Sequence, residues 1–326
     1  MAEPLITNKT HKSLITLAFL TKWASLIVLV LLLAVIGIWN SSFFLYGNSE
    51  TVLILTSFFL MAALGQTWVI MLGSIDLSAG FMISLSSVVF ALTISDFGYW
   101  AIAIVFLMGL VGGVLNGVVF TFLRIPSFIA TLGTGGIFLS LAYVLSKGGT
   151  VSIRDTNSPA LTIWKETVLG IPVLILFVLL VWTICFIYQR FTIGGKMIYY
   201  IGSSESAAWM SGIHVLRHKI LAFAMSGITA ALTGILLVGE IQNGNPTMGQ
   251  LYLLNSAAAV VIGGTALTGG VGGVGKTLIG ALIIAILSNG MNVVGVDAYF
   301  QSIVTGVIII LAAAMSLDRS KISMIK

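Results

Sequence analysis

From Trp23 to Ser316 the chain is a succession of long apolar runs separated by short polar or glycine-rich gaps. A helix crossing a hydrocarbon core of roughly 30 Å needs about 20 residues at 1.5 Å rise each. On that measure the pattern predicts about ten spans, over residues 23–39, 51–72, 79–95, 99–122, 126–146, 168–188, 219–240, 251–268, 276–294 and 298–316. Glycine interrupts 79–95 and 251–268, so their ends are the least defined. The expected fold is an all-α polytopic membrane protein. A cytoplasmic N-terminal segment (1–22) precedes the transmembrane domain (23–316), and a cytoplasmic tail (317–326) follows it.

Composition narrows this further. Of 326 residues, 58 % are hydrophobic and 8 % charged, with a mean hydropathy of +1.13, whereas soluble domains carry about 25 % charged residues. So few charges cannot cover a water-facing surface. An even number of spans puts both termini on one side, and the distribution of basic residues decides which side. With both termini cytoplasmic, only Lys147, Arg154 and Lys165 fall outside, all in one loop. The basic excess, 15 residues against 10 acidic, is then a topology signal and not a nucleic-acid surface. Cys185 stands alone, which leaves no disulfide or thiolate metal centre to build.

Two loops are long. The outer one, Lys147–Glu166, reads as a plug or docking surface. The inner one, 189–218, contains SESAAWMSGI. Ser203 or Ser204 is the expected N-cap, Glu205 sits in the first turn where a negative charge suits the helix dipole, and Gly212 closes the helix. Ala207, Ala208, Met210 and Ser211 lie between. This short helix reads either as a membrane-surface connector or as a docking element for a cytoplasmic partner. No segment outside the lipid is long enough to bury its own core, so an energy source must be a gradient or another polypeptide.

Asp76, in LGSIDLSAG, is the one carboxylate near a broken span; it reads as an N-cap before a substrate contact. Gln66, Thr67, Asn116, Thr131, Thr134, Asn255, Thr265, Asn289 and Asn292 are uncharged polar residues in or beside spans. They serve either as hydrogen-bond links between helices or as the lining of a path for a neutral solute. No nucleophile–base set, metal cluster or carboxylate pair accompanies them, which argues against an embedded enzyme. GGVGGVGKT (269–277) matches both G-x-x-x-x-G-K-[ST] and G-x-G-x-x-G, yet apolar runs flank it where a phosphate loop needs a strand and a soluble α/β domain. It is expected to be a glycine turn, with Lys276 reaching lipid headgroups or a partner surface.

Four motifs occur in order: GSIDLSAG (73–80), PSFIATLGT (126–134), IGSSESAAWMSGI (201–213) and GGTALTGG…TLIGA (263–281). Together, from about residue 50 to 316, they resemble the ribose-type permease family of bacterial ATP-binding-cassette importers. The resemblance implies a multi-pass inner-membrane subunit that pairs with a second permease, as a homodimer, around a path for a small neutral sugar. It also implies a periplasmic or extracellular sugar-binding protein and two cytoplasmic ABC ATPase domains that hold ATP and magnesium, leaving this chain without a cofactor or catalytic site. The coupling segment would comprise Ser203, Ser204, Glu205, Ala207, Ala208, Met210, Ser211 and Gly212. The candidate path residues are Gln66, Asp76, Asn116, Thr131, Thr134, Asn255, Asn289 and Asn292. Ser74, Ala79, Ser206, Trp209 and Lys276 depart from the family pattern. Importers of nucleosides or branched-chain amino acids, and a stand-alone carrier, are the competing readings; few intramembrane carboxylates disfavour the carrier.

Overall fold

The computed structural model describes residues 7–316, with all but a few of their side chains from Trp23 onward. In chain order the elements are α1 (Thr7–Trp39), a 3₁₀ turn (Ser41–Phe44), α2 (Tyr46–Met71), α3 (Ala79–Phe97), α4 (Trp100–Leu123) and α5 (Ser127–Ser146). An outer-loop region follows with β1 (Val151–Ser152), α6 (Pro159–Thr162), β2 (Thr167–Val168) and β3 (Ile171–Pro172). Then come α7 (Val173–Phe191), α8 (Ile193–Ser203), α9 (Glu205–Met210), α10 (Val215–Ile241), β4 (Asn243–Gly244), α11 (Gln250–Ile262), α12 (Val274–Val294) and α13 (Ala298–Ser316). Among the described residues, seven helices are long and apolar enough to cross a membrane: α2, α3, α4, α5, α7, α10 and α12. Three shorter apolar stretches accompany them: Trp23–Trp39, Gln250–Ile262 and Tyr299–Leu311. The architecture is all-α and polytopic. Residues 1–6 and the expected tail 317–326 lie outside the described residues.

Two expected spans have different ends, each for a backbone reason. The run 251–268 yields a helix of only 13 residues, α11, which stops at Ile262. Beyond it Gly264, Gly269, Gly270, Gly272 and Gly273 all have positive φ, a conformation that suits glycine and ends an α-helix. The run 168–188 begins five residues late, at Val173. Ahead of it Leu169 and Gly170 both have positive φ and turn β2 back on β3.

α2 and α10 form the centre, each apolar and buried round most of its circumference, as expected of a helix without a polar face. Small residues set the approach of α4 to α10. A Cβ at Gly117 would stand 2.7 Å from Ile220 Cα, and one at Gly113 would run into the Phe223 carbonyl oxygen. Without the Cβ, the two backbones meet directly.

One local design occurs twice. The α2–α3 connection and the α10–α11 connection each open on a residue with positive φ, Gly73 (+72°) and Gln242 (+60°). Three positions on, a side-chain oxygen accepts from the amide and the hydroxyl two residues further along. Asp76 Oδ1 accepts from Ser78 N and Oγ at 2.9 and 2.6 Å. Asn245 Oδ1 accepts from Thr247 N and Oγ1 at 2.8 and 2.7 Å. Four positions after each acceptor comes a glycine, Gly80 and Gly249, and these two pack against each other: a Cβ on Gly80 would lie 2.9 Å from Gly249 O. Successive helices reverse direction, so the two connections face opposite sides of the bundle. The relation is that of an inverted repeat. On the second side, β1 pairs with β4 (Val151↔Gly244, Ser152↔Asn243) and straps the loop between α5 and α7 across the connection.

Gly113→Leu is therefore expected to destabilise the purified protein by about 2–3 kcal/mol through overpacking, read as a lower thermal midpoint in detergent. Gly136→Leu, with nothing within 4 Å of the added Cβ, should stay within about 0.5 kcal/mol of the parent, as surface substitutions do. Equal midpoints for the two variants would remove the α4–α10 approach as a determinant of stability.

Candidate functional site

α9 forms where its sequence places it. Ser204 is the N-cap, its Oγ accepting from Ala207 N at 3.4 Å; of the two expected caps, Ser203 instead donates to Tyr199 O at the end of α8. Glu205 occupies the first turn. At the other end Gly212 has φ +79°, with Ile213 N donating to Ala208 O and Gly212 N to Trp209 O. That pair of bonds is a Schellman closure, which glycine at this position permits. Ala208 is buried against the body of the protein, while Trp209 and Met210 are 63 % and 79 % exposed. A six-residue helix is too short to persist alone, so its position depends on what it is tied to.

The ties run in two directions. Glu205 takes two bonds from Lys219 Nζ, at 2.7 and 2.8 Å, and Lys219 is itself mostly buried and lies 4.9 Å from the Phe120 ring centroid. This fixes α9 to α10 and, through Phe120, to α4. α8 seats on the glycine turn 263–273. Tyr199 Oη donates to Gly272 O at 2.9 Å, Gly202 lies against the Met71 carbonyl at the end of α2, and Gly270 N donates to that carbonyl at 3.0 Å. From α7, Gln189 Oε1 accepts from Val274 N (2.7 Å) and Trp182 Nε1 donates to Val274 O (3.1 Å).

These and neighbouring bonds occupy most of the amides that a phosphate cradle would offer. Gly269 N and Gly270 N donate to the Ala266 and Met71 carbonyls, and Gly273 N to Thr265 Oγ1 at 3.0 Å. Thr277 Oγ1 lies 2.7 Å from Thr67 Oγ1 and both residues are fully buried. Helix α11, not a strand, precedes the run.

Two residues beyond Met71 the chain enters the Asp76 connection, and here five of the candidate path residues meet. Gln66 Nε2 donates to Asp76 O. Asp76 Oδ2 accepts from Ser226 Oγ of α10 at 2.7 Å. Asn116 Nδ2 of α4 donates to Ser78 Oγ at 2.6 Å, and Thr134 Oγ1 of α5 donates to Asn116 Oδ1 at 2.5 Å. Thr131 Oγ1 accepts from Leu77 N at 3.0 Å. Asp76 is 1 % exposed and every side chain named here is buried. The cluster thus joins α2, α3, α4, α5 and α10, with the carboxylate taking three donors as both cap and hub.

The remaining candidates lie elsewhere. Asn289 donates to Asn48 Oδ1 (2.8 Å), linking α12 to α2. Asn292 is exposed and accepts from Gln301 Nε2. Asn255 is buried on α11. Ser78, Ser226 and Gln189 were not singled out by the sequence. Serines and a glutamine within apolar runs carry no local mark of their partners, which lie up to 150 positions away.

Asp76→Ala is expected to leave Ser226 and Ser78 as buried unpaired donors, each costing about 1–3 kcal/mol. Asn289→Ala removes one partly buried bond and should cost about 1 kcal/mol. Detergent thermal midpoints of the two variants check this; an Asp76→Ala protein as stable as Asn289→Ala would show that the hub bears no load.

Comparison with known proteins agrees with this geometry. The family model for the permease component of branched-chain amino acid transport systems matches residues 48–313. The ribose import permease protein of Haemophilus influenzae is 35 % identical, over 90 % of this chain and 92 % of its own length. That of Bacillus subtilis is 36 % identical over 90 % and 91 %, and the D-allose transport system permease protein of Escherichia coli is 31 % identical over 92 % of each. No solved structure matches the chain. A match spanning most of the described helices, with relatives this similar along nearly their whole length, places this multi-pass inner-membrane protein in the family of ribose-type permease components of ATP-binding-cassette importers.

Proposed function

We propose that the chain is the membrane-spanning subunit of an importer that moves a small neutral sugar, driven by ATP hydrolysis in separate cytoplasmic subunits. The α8–α9 unit carries this reading. Its outer surface presents Trp209 and Met210 to a partner, and its inner surface is tied through Lys219, Tyr199 and Gly202 to α10, the glycine turn and the end of α2. Closure of the ATPase domains then moves α9 as a rigid lever. ATP and magnesium belong to those subunits. An external sugar-binding protein delivers the solute to a pair of permease copies. The distribution of basic residues supports ten crossings with both termini in the cytoplasm.

The sugar reading, over an amino-acid one, is supported by relatives named for ribose and allose and by the chemistry of the interior. Asp76 is the buried carboxylate of the hub, and its acceptor capacity is taken by Ser78 and Ser226. Moving a charged solute would require further buried charges. Thr131 and Thr134 hold one side of α5 to the hub. Its other side exposes Phe128 and Leu132, and Gly133 and Gly136 face open space. We assign that exposed side to the path between two copies, with Gln66, Asp76, Asn116, Thr131 and Thr134 as its frame; Asn255, Asn289 and Asn292 belong to the second half of the chain.

Co-reconstitution with the ATPase and the binding protein should give ATP-dependent sugar uptake into proteoliposomes. Uptake by this chain alone would replace the importer by a carrier. In the complex, Trp209→Glu combined with Met210→Arg should leave the permease folded and reduce ATPase stimulation by loaded binding protein about tenfold or more, since interface anchors carry about 2 kcal/mol or more each. Undiminished stimulation would sink the coupling assignment.

A further inference from the structure

Beside the glycine turn lies a cavity of about 460 Å³ lined by Phe186, Gln189 and Arg190 of α7, Lys196 and Tyr199 of α8, and Gly272, Gly273, Gly275 and Lys276 at the start of α12. Basic residues of three elements line it, with the Lys276 ammonium also donating to Gly264 O at 3.3 Å, and no carboxylate is among its lining residues. Like charges gathered without a counter-ion repel each other, so the arrangement calls for an anion. Tyr199, whose hydroxyl donates to Gly272 O, fixes one wall of the cavity.

The surroundings decide which anion. The cavity sits at the last turn of α7, below a side of that helix whose Ile184 and Ile187 are more than half or half exposed. Trp182 and Phe186 stack at 5.5 Å on the same helix, about two turns and one turn above Arg190, in the manner of aromatic residues at a membrane boundary. α8 exposes Ile193 and Tyr200 next to the basic side chains, an amphipathic helix of the kind that lies in the interface plane. A phosphate held here would have apolar surface immediately on its membrane side. Most amides of the turn, those of Gly269, Gly270, Gly273 and Val274 among them, are already bonded within the protein, so the charge for binding comes from the side chains.

We propose that this cavity seats the phosphate of an anionic phospholipid from the leaflet that faces the coupling helix, against the element that links α8 to α2. The proposal uses the orientation given above only to name that leaflet. Lipid retention is read on the permease alone and sugar uptake on the complex, so each reading can fail without the other.

The test is native mass spectrometry of the full-length permease released from nanodiscs containing phosphatidylcholine and phosphatidylglycerol. Wild type should retain phosphatidylglycerol in preference to phosphatidylcholine. Lys196→Gln, at an exposed side chain, should weaken retention about fivefold, and the Arg190→Gln/Lys196→Gln/Lys276→Gln protein should lose the preference, because each basic residue near a membrane surface contributes about that factor. Lys165→Gln, which removes the same charge in the outer-loop region, should change nothing. Equal retention of both lipids by wild type, or unchanged retention by the triple variant, overturns the proposal. Displacement by millimolar inorganic phosphate without any lipid preference assigns the cavity to a free anion instead. A triple variant that keeps its lipid but no longer binds the ATPase assigns the cations to a protein surface.

Discussion

A helix interrupted inside a hydrocarbon layer leaves amides and carbonyls that no water can satisfy. The fold depends on how that constraint is met at the α2–α3 connection. One buried carboxylate meets it. Asp76 closes the turn on Ser78, draws in Ser226 from α10, and through Ser78 engages Asn116 and then Thr134. Interhelical hydrogen bonds in membranes contribute on average about 0.6 kcal/mol each, so no single link dominates. Their connection through one acceptor makes them a unit: shifting any one of α3, α4, α5 or α10 disturbs the bonds of the others.

That unit lies five residues from Met71, where α8 and the glycine turn meet the end of α2. The Met71 carbonyl accepts from Gly270 and lies under Gly202, and Gln189 bonds Met71 Sδ while capping Val274. A displacement of α9 therefore has a continuous bonded route: through α8 and the glycine turn to the end of α2, and from there to the hub. The glycines make the route short. At Gly202, Gly270 and Gly273 a Cβ would collide with the opposing element, so any larger residue would push α8 away from the glycine turn and the end of α2. The counterpart connection at Asn245 repeats the turn with an amide in place of the carboxylate. It is bonded to the outer loop through Thr150 and to α3 through Ser87, which gives the opposite face a similar joint with a different tether.

What could be read from the sequence follows how far apart the determinants lie. α9 was legible to within a residue, because cap, first-turn acid and closing glycine all fall within ten positions. Although the N-cap position itself falls on Ser78, Asp76 was legible as an acceptor ahead of α3 for the same reason. Its role as hub was not, since Ser226 and Asn116 acquire meaning only when α4 and α10 pack beside it. The inverted repeat was also hidden. Gly80 and Gly249 are identical, but Asp76 stands opposite Asn245 and Ser78 opposite Thr247: chemistry is kept while identity is lost. The ends of α7 and α11 were misplaced where apolar residues continue past the helix. Leu169 and the run after Ile262 satisfy hydropathy, yet positive φ at Leu169 and Gly264 ends the helical geometry.

GGVGGVGKT shows how a pattern can be satisfied by a different physical need. In a nucleotide site its glycines free amides to surround phosphate. Here glycines are equally required, but so that Gly270 can approach the α8 backbone at Ser203 and Gly273 can receive the Gln189 and Tyr199 side chains. Most of the run's amides are then bonded inside the protein, and the threonine that would serve a metal ion is buried against Thr67. Val271 and the basic side chain remain at the surface, where Lys276 joins Arg190 and Lys196 in lining one cavity. The backbone of the motif thus serves the packing of α8, α7 and α2 against one another, and its one charge stays at the surface.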